Sequence, residues 1–365
     1  MNKLEIGLQF WPWYPVKTTV SYAEMALKNF PFHQIWLCDE YQYTDPFTVL
    51  AIIAEKLKVS VGTLVTFVSR NPLYLAQKFA SISELLPDGK EITAGFGPGG
   101  VVQRQVMLGH PASVEMTSEA VRLLRRLLNG DVVELAAFPH LTQRFGFNVE
   151  GKAKLYFPPQ KRVRVCVAAG GRKMLEAVGR EADGLVCTLI HPRSSLVAMR
   201  LGMFQEAMSI VEKAVGERAT PEKEFYRIFN LHVSVSKDRR AAIDLARRQV
   251  SYGVGTYLPV ESHRKDFERQ GISIEALRQS GVREAYVKAL GMEEAAERVD
   301  DDILNMTGFV VAGTVDECRE KCLEITSYLR KASFNQVVLG VPLGPNVPEA
   351  LELIGREIAP AIAAS

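Results

Sequence analysis

Short apolar segments alternate with segments of helical periodicity along most of the chain, and this alternation limits the fold more than any other feature. The apolar segments are rich in β-branched residues, as buried strands are. They predict strands at residues 4–10, 34–38, 59–68, 91–97, 163–168, 185–188, 225–236 and 335–341. The segments of helical periodicity between them include residues 194–215 and 238–250, each predicted as one helix. Eight strand–helix units in 365 residues predict an α/β fold, a (β/α)8 TIM barrel. A doubly wound sheet is the alternative, because sequence does not show whether the sheet closes.

Two stretches interrupt the alternation. Residues 131–160 contain Pro139, Gly146 and Gly151, which predicts an excursion with short strands. Residues 251–307 are rich in charge and in helical pattern, which predicts a helical insertion. The stretches follow the fourth and seventh predicted strands. We therefore expect a single barrel domain over residues 1–365 with insertions after those two strands.

The charge balance and cysteine usage limit the possible partners. The formal net charge is +2, from 44 basic and 42 acidic residues, so bulk electrostatics favours neither nucleic acid nor a membrane surface. No run of 18 apolar residues predicts a membrane span, and the N-terminus lacks the pattern of a signal peptide. Five cysteines, an odd number without metal-ligand spacing, fit a reducing cytoplasm and predict no metal site. We expect a cytoplasmic protein that acts on a small molecule.

Residues 163–188 read as a strand, a glycine turn, a helix and a second strand. Gly170 and Gly171 stand where the chain would enter the helix. Backbone N–H groups without neighbouring Cβ atoms, together with the helix dipole, can bind an anion at such a turn. Two adjacent glycines between a strand and a helix are more often only a tight connection, and these residues alone favour that interpretation. The turn is therefore a candidate phosphate site and no more on these residues alone.

Polar and aromatic side chains follow the first two predicted strands. Asp39 and Glu40 come directly after the second strand. Adjacent residues of a strand point to opposite sides, so at most one of them should face a reaction centre at the barrel mouth. Trp11 and Trp13 follow the first strand and could either wall a planar ligand or form a hydrophobic lid. Among the histidines, His191 lies nearest a strand end, and no Ser-His-Asp arrangement emerges.

Several motifs in one order carry a family resemblance. They are IWLCDEY at 35–41, GTLVT and RNP within 62–72, GFGPGG at 95–100, VAAGG and DGLVCT within 167–188, and GFVVAGTVDEC and VVLGVPLGP within 308–345. The chain resembles the luciferase-like (β/α)8 oxidoreductases. Within them it is similar to the branch that uses the deazaflavin coenzyme F420, which includes methylene-tetrahydromethanopterin reductase and the F420-dependent glucose-6-phosphate and alcohol dehydrogenases.

The resemblance implies a cofactor site and a homodimer. It implies that the deazaflavin packs on a bulge in strand three, formed by a cis peptide at Leu64–Val65. It further implies that Asp39 contacts the polar edge of the ring. The residues implied to line the ring are Thr66, Gly97 and Pro98. It places the cofactor phosphate at the glycine turn. The residues implied there are Ala169, Gly170, Gly171, Cys187 and Thr188.

The chain also departs from its relatives. Relatives often carry histidine where this chain has Glu40, and acids are expected at the positions of Gln9 and Gly100. These differences prevent the substrate of any one relative from being carried over. Our hypothesis is hydride transfer between the deazaflavin and a small organic substrate, pterin-like or a carbonyl or alcohol compound, with Glu40 as the catalytic proton donor or acceptor. A carboxylic acid can do this near neutral pH only where burial favours its protonated form, so Glu40 should be shielded.

The sequence is also compatible with two other functions. An FMN-dependent luciferase-like monooxygenase would use the same fold with a flavin that activates oxygen. A non-catalytic cofactor-binding relative would explain the missing acids. The absorbance of the protein after reconstitution with F420 or FMN, followed by a turnover assay, separates the three.

Overall fold

The computed structural model describes residues 3–99, 112–218, 224–289 and 292–365, and eight parallel strands form its centre. The barrel strands are β1 Glu5–Phe10, β2 Gln34–Leu37, β3 Ser60–Phe67, β4 Ile92–Gly97, β5 Val163–Ala168, β6 Gly184–Thr188, β7 Tyr226–Val235 and β8 Gln336–Leu343. Each strand pairs with its neighbour in chain order, and β8 pairs with β1 in the register Glu5↔Gln336, so the sheet closes. The predicted (β/α)8 barrel is confirmed, and the doubly wound sheet is excluded.

Helices surround the barrel where the periodicity predicts them. Their bounds are Val16–Asn29, Pro46–Leu57, Pro72–Glu84, Val114–Leu128, Arg172–Glu181, Met203–Gly216, Arg239–Tyr257, Val315–Lys331 and Val347–Leu353. Local sequence fixes several starts. Asp45 and Asn71 each cap the N-terminus of a helix by accepting a backbone N–H, and proline follows each at the first helical position.

Three elements differ from the prediction. The helix expected at 194–215 is divided into Leu196–Arg200 and Met203–Gly216, because Gly202 between them has a φ of 77°. The helix expected to end at residue 250 continues to Tyr257. An additional short strand, Val311–Gly313, pairs with β7.

Both interruptions carry secondary structure of their own. After β4, the strands Val133–Glu134 and Lys152–Ala153 form a small antiparallel pair around the helix Pro139–Phe145. Between β7 and β8, short helices follow Arg239–Tyr257. They are Glu261–Arg269, Ile274–Gln279, Val282–Ala289, Glu293–Ala296 and Asp301–Thr307. No helix in the described part of the chain is both long and apolar enough to span a membrane.

Trp36 fills part of the barrel interior. It is fully buried and packs with Cys166, Tyr226 and Val338. A Cβ on Gly62 would lie 2.6 Å from the Trp36 ring, and one on Gly7 would lie 2.7 Å from it, so both strands need glycine beside the indole. The packed Trp36 cluster fills the barrel interior, and the open space lies above it at the C-terminal ends of the strands, where active sites of this fold lie.

Candidate active site

A cavity of about 290 Å³ opens at the C-terminal ends of the barrel strands. Most of the predicted site residues line it: Glu40, Leu64, Val65, Gly97, Pro98, Ala169, Gly170, Gly171 and Thr188. They come from the ends of five neighbouring strands, β2 to β6, which lie side by side in the barrel. Gly100, where relatives carry an acid, lies outside the described residues.

Asp39, Thr66 and Cys187 were expected at the ligand but do not line the cavity. Cys187 packs into the apolar layer between barrel and helices, because alternation along β6 turns Val186 and Thr188 inward and Cys187 outward. Burial raises the pKa of the Cys187 thiol to about 12, so it stays protonated. These three residues thus lie outside the cavity lining, and their predicted contact with a cofactor stays a prediction.

The Asp39 carboxylate is held behind the cavity wall. Its two oxygens accept hydrogen bonds of 2.6 Å from Nε and Nη2 of Arg70, and Oδ2 also accepts one of 2.6 Å from Oγ1 of Thr66. The Asp39 side chain is 2% exposed, whereas that of Arg70 is 30% exposed. This bidentate pair fixes the backbone immediately before Glu40.

Glu40 faces the cavity, as expected for one of two adjacent acids. The residue is 8% exposed and therefore shielded from bulk water. Its negative charge raises the pKa of two neighbouring side chains. Burial first, and the Glu40 carboxylate second, raise the pKa of the Cys38 thiol. Burial, two neighbouring tyrosines and then Glu40 raise the pKa of the Tyr252 hydroxyl. Glu40 is thus a largely buried carboxyl group at the cavity, close to the Cys38 thiol and the Tyr252 hydroxyl.

The predicted bulge in strand three is present. The pairing of β3 with β4 shifts between Thr63 and Thr66, and the Leu64–Val65 peptide is cis. Gln9 donates a hydrogen bond of 3.1 Å from Nε2 to the Leu64 carbonyl oxygen. The bulge thereby presents Leu64 and Val65 to the cavity as an apolar surface.

The glycine turn is open on one side and crowded on the other. An ideal Cβ on Gly171 meets no described atom within 4 Å, whereas a Cβ on Gly170 would overlap the imidazole of His191. Gly171 is also the residue before the helix Arg172–Glu181. The lack of a side chain therefore matters differently at the two positions. At Gly170 it makes room for the His191 ring, and at Gly171 it leaves open space at a helix N-terminus.

This difference gives a stability prediction. We expect Gly170→Ala to lower the free energy of unfolding by about 1–3 kcal/mol, since the new methyl group must displace a packed ring. Gly171→Ala should change it by less than about 0.5 kcal/mol, as is usual for a surface substitution without contacts. Urea denaturation measures both. Equal stability of the two variants would contradict the assigned packing.

A set of polar side chains also lines the cavity, and the sequence pattern pointed to Gln9 and His191 among them but not to Asn230 and Thr256. Oε1 of Gln9, Oδ1 of Asn230, Nε2 of His191 and Oγ1 of Thr256 are buried without a hydrogen-bond partner among the described residues. Buried polar atoms are normally paired, so such a group at one cavity is typical of a ligand site. Asn230 lies within a strand and Thr256 on a helix predicted to end earlier, so neither stood at a predicted strand end.

Thr188, which lines the cavity, also forms a hydrogen bond with a buried histidine. Nδ1 of His232 lies 2.8 Å from the Val341 carbonyl oxygen, which can only accept, so Nδ1 carries the hydrogen. Burial lowers the pKa of His232 to about 4, so the ring is neutral and its Nε2 is an acceptor. Nε2 accepts a hydrogen bond from Oγ1 of Thr188 at 3.0 Å. The Thr188 hydroxyl therefore offers the cavity acceptor lone pairs.

Comparison with known proteins agrees with this geometry. The sequence model of the family described as luciferase-like monooxygenase matches residues 16–329. The 5,10-methylenetetrahydromethanopterin reductase of Archaeoglobus fulgidus is 27% identical over 370 residues, covering 98% of this chain and 99% of that protein. The F420-dependent glucose-6-phosphate dehydrogenase of Gordonia bronchialis is 25% identical over 328 residues, covering 86% and 82%.

A solved structure shares the fold over nearly the whole length. The coenzyme F420-dependent tetrahydromethanopterin reductase from Methanopyrus kandleri superposes with a TM-score of 0.73 at 22% identity, covering 98% of this chain and 99% of the other. The resemblance noted in the sequence is thereby confirmed. The match over residues 16–329 spans most of the barrel, and the chain belongs to the luciferase-like monooxygenase family.

Proposed function

We propose that this protein is a coenzyme F420-dependent oxidoreductase. It transfers a hydride between the deazaflavin and a small organic substrate, a pterin-like compound or a carbonyl or alcohol compound. The observation that carries the proposal is one cavity lined both by a shielded carboxyl group, Glu40, and by an open glycine turn at a helix N-terminus, Gly170–Gly171. Two of the relatives named above support this cofactor and chemistry. One is a methylenetetrahydromethanopterin reductase, and the other is an F420-dependent glucose-6-phosphate dehydrogenase.

The residues present fit a ring attached to an anionic tail. Gly171 and the first turn of Arg172–Glu181 offer backbone N–H groups and free space to a phosphate. Leu64, Val65 and Pro98 offer an apolar surface to a planar ring. The unpaired polar atoms of Gln9 and Asn230 give the polar edge of a ring hydrogen-bond partners.

The chain's own residues orient the substrate and move one proton. Bound deazaflavin supplies the hydride chemistry. Glu40 gives a proton to, or takes one from, the substrate atom next to the carbon that changes oxidation state. Trp11 and Tyr252 line the cavity and provide aromatic surfaces against which a planar substrate packs. Many of the side chains that line the cavity are buried, and a ligand bound there would displace water, which favours transfer to the substrate over side reactions.

The cofactor is tested by reconstitution. We expect the purified protein to bind F420, and the absorbance of oxidised F420 to fall when a reduced substrate is added from a panel of alcohols and reduced pterins. Tight binding of FMN with oxygen consumption would instead identify a flavin monooxygenase. Binding of F420 without turnover across the panel would identify a non-catalytic relative.

The assembly and location stay predictions. A homodimer is expected from the family resemblance, and analytical ultracentrifugation measures it. A cytoplasmic location is expected because the five cysteines are unpaired thiols, all buried. Subcellular fractionation tests it.

A further inference from the structure

The glycine turn is bordered by an imidazole that has a hydrogen to donate. Nδ1 of His191 accepts the backbone N–H of Arg193 at 3.1 Å. In the neutral ring, the hydrogen must then be on Nε2. Nε2 is also the atom nearest to the Cβ position of Gly170. The donor of His191 therefore lies against the glycine turn.

The surroundings keep this imidazole neutral. Burial first, and then His263 and Arg193, hold the pKa of His191 well below its ordinary value. The charge of Arg193 is balanced separately, because its Nε donates to Oδ2 of the buried Asp266 at 2.8 Å. His191 therefore provides a hydrogen-bond donor beside the glycine turn without adding a positive charge there.

The ring is also fixed in orientation. His263 packs edge-on at 4.6 Å and Tyr257 at 4.9 Å between ring centroids, with interplanar angles of 89° and 72°. Both neighbours come from the segment after β7, outside the strand–turn–helix unit that contains the glycines. His191 is 5% exposed, and its Nε2 has no partner among the residues that the structure describes. A buried donor left without an acceptor costs free energy, which a ligand acceptor would remove.

We propose that Nε2 of His191 donates a hydrogen bond to the phosphate-type anion bound at Gly170–Gly171, and so is a side-chain determinant of cofactor affinity. The helix N-terminus favours an anionic acceptor there, and the imidazole adds a directed donor that backbone N–H groups alone do not provide. The identity of the ligand as F420 rests on the proposed function. The assignment of His191 as an anion ligand does not.

Two substitutions separate the donor from the ring. His191→Phe keeps the ring packed on Tyr257 and His263 but removes the donor, whereas His191→Gln restores an N–H group at about the position of Nε2. We expect His191→Phe to weaken F420 binding about 10- to 150-fold, the equivalent of losing a hydrogen bond to a charged group. His191→Gln should recover most of that loss. His140→Gln is the control, because His140 is 46% exposed and bonded to Glu119 away from the cavity.

A second measurement uses inorganic phosphate and reads His191 directly. In protein with ¹⁵N-labelled histidine, phosphate should shift the Nε2 resonance of His191 and leave that of His140 unchanged. If F420 does not bind but phosphate shifts His191, the proposed cofactor is wrong and the anion assignment stands. If F420 binds wild type and His191→Phe equally, or neither F420 nor phosphate moves the His191 resonance, the assignment of His191 is overturned.

Discussion

Replacement of Glu40 by glutamine should lower the turnover number about 100- to 10,000-fold, the usual contribution of a positioned general acid or base. The amide has nearly the shape of the carboxyl group but cannot supply or accept the proton. Glu40 lines the cavity at 8% exposure, so its carboxyl group is placed to exchange a proton with a ligand bound there. Stopped-flow measurement of F420 oxidation or reduction, with the substrate found in the reconstitution panel, gives the rate.

The affinity for F420 should stay nearly unchanged in this variant, because the phosphate end of the site is untouched. Fluorescence titration with F420 checks this. Glu55→Gln is the matched control, since the Glu55 side chain is 58% exposed on a surface helix and is not among the residues that line the cavity. Full turnover in Glu40→Gln would remove Glu40 from the mechanism and leave the proton to another group.

The second large effect is expected at Arg70. Arg70→Met should lower the free energy of unfolding by about 3–5 kcal/mol, because it leaves the Asp39 carboxylate buried without its countercharge. Asp39 is 1% exposed, and Arg70 provides two of the three hydrogen bonds described for its carboxylate. Urea denaturation at neutral pH measures the change.

Arg200→Met is the control for burial. Arg200 also binds a carboxylate through two nitrogens, Nε and Nη2 to Glu324 at 2.8 and 2.9 Å, but its side chain is 55% exposed. The loss there should be less than about 1 kcal/mol. The double variant Arg70→Met/Asp39→Asn should recover part of the stability, because the unpaired charge is gone. A small effect of Arg70→Met, equal to that of Arg200→Met, would show that water reaches Asp39.

The sequence predicts the barrel well because strand and helix periodicity are local properties. Residues 163–168 match β5 at both ends, and the other predicted strands differ from the structure by one or two residues at an end. The same alternation implies that side chains at strand ends meet, and Glu40, Val65 and Gly170 do line one cavity. Period and order therefore indicate the eight strand–helix units and the edge at which the site lies, whereas closure of the sheet is seen only in the pairing of β8 with β1.

Side-chain direction and distant contributions are harder to predict. Asp39 and Cys187 stand at strand ends but turn away, because direction depends on register and on partners such as Arg70. His263 approaches His191 from a segment 72 positions later in the chain, which no local pattern reveals. The break at Gly202 was missed because a single glycine does not always end a helix.

The helix Arg239–Tyr257 supplies a wall of the cavity as well as a layer of the barrel. Gln249, Tyr252 and Thr256 line the cavity at spacings of three and four residues, so they share one face of that helix. None of the three lies in a barrel strand or at the glycine turn. New substrate preferences can therefore be acquired, in evolution or in a mutant library, by substitutions on this one helix face, while the strand ends and the glycine turn proposed to bind the cofactor stay unchanged.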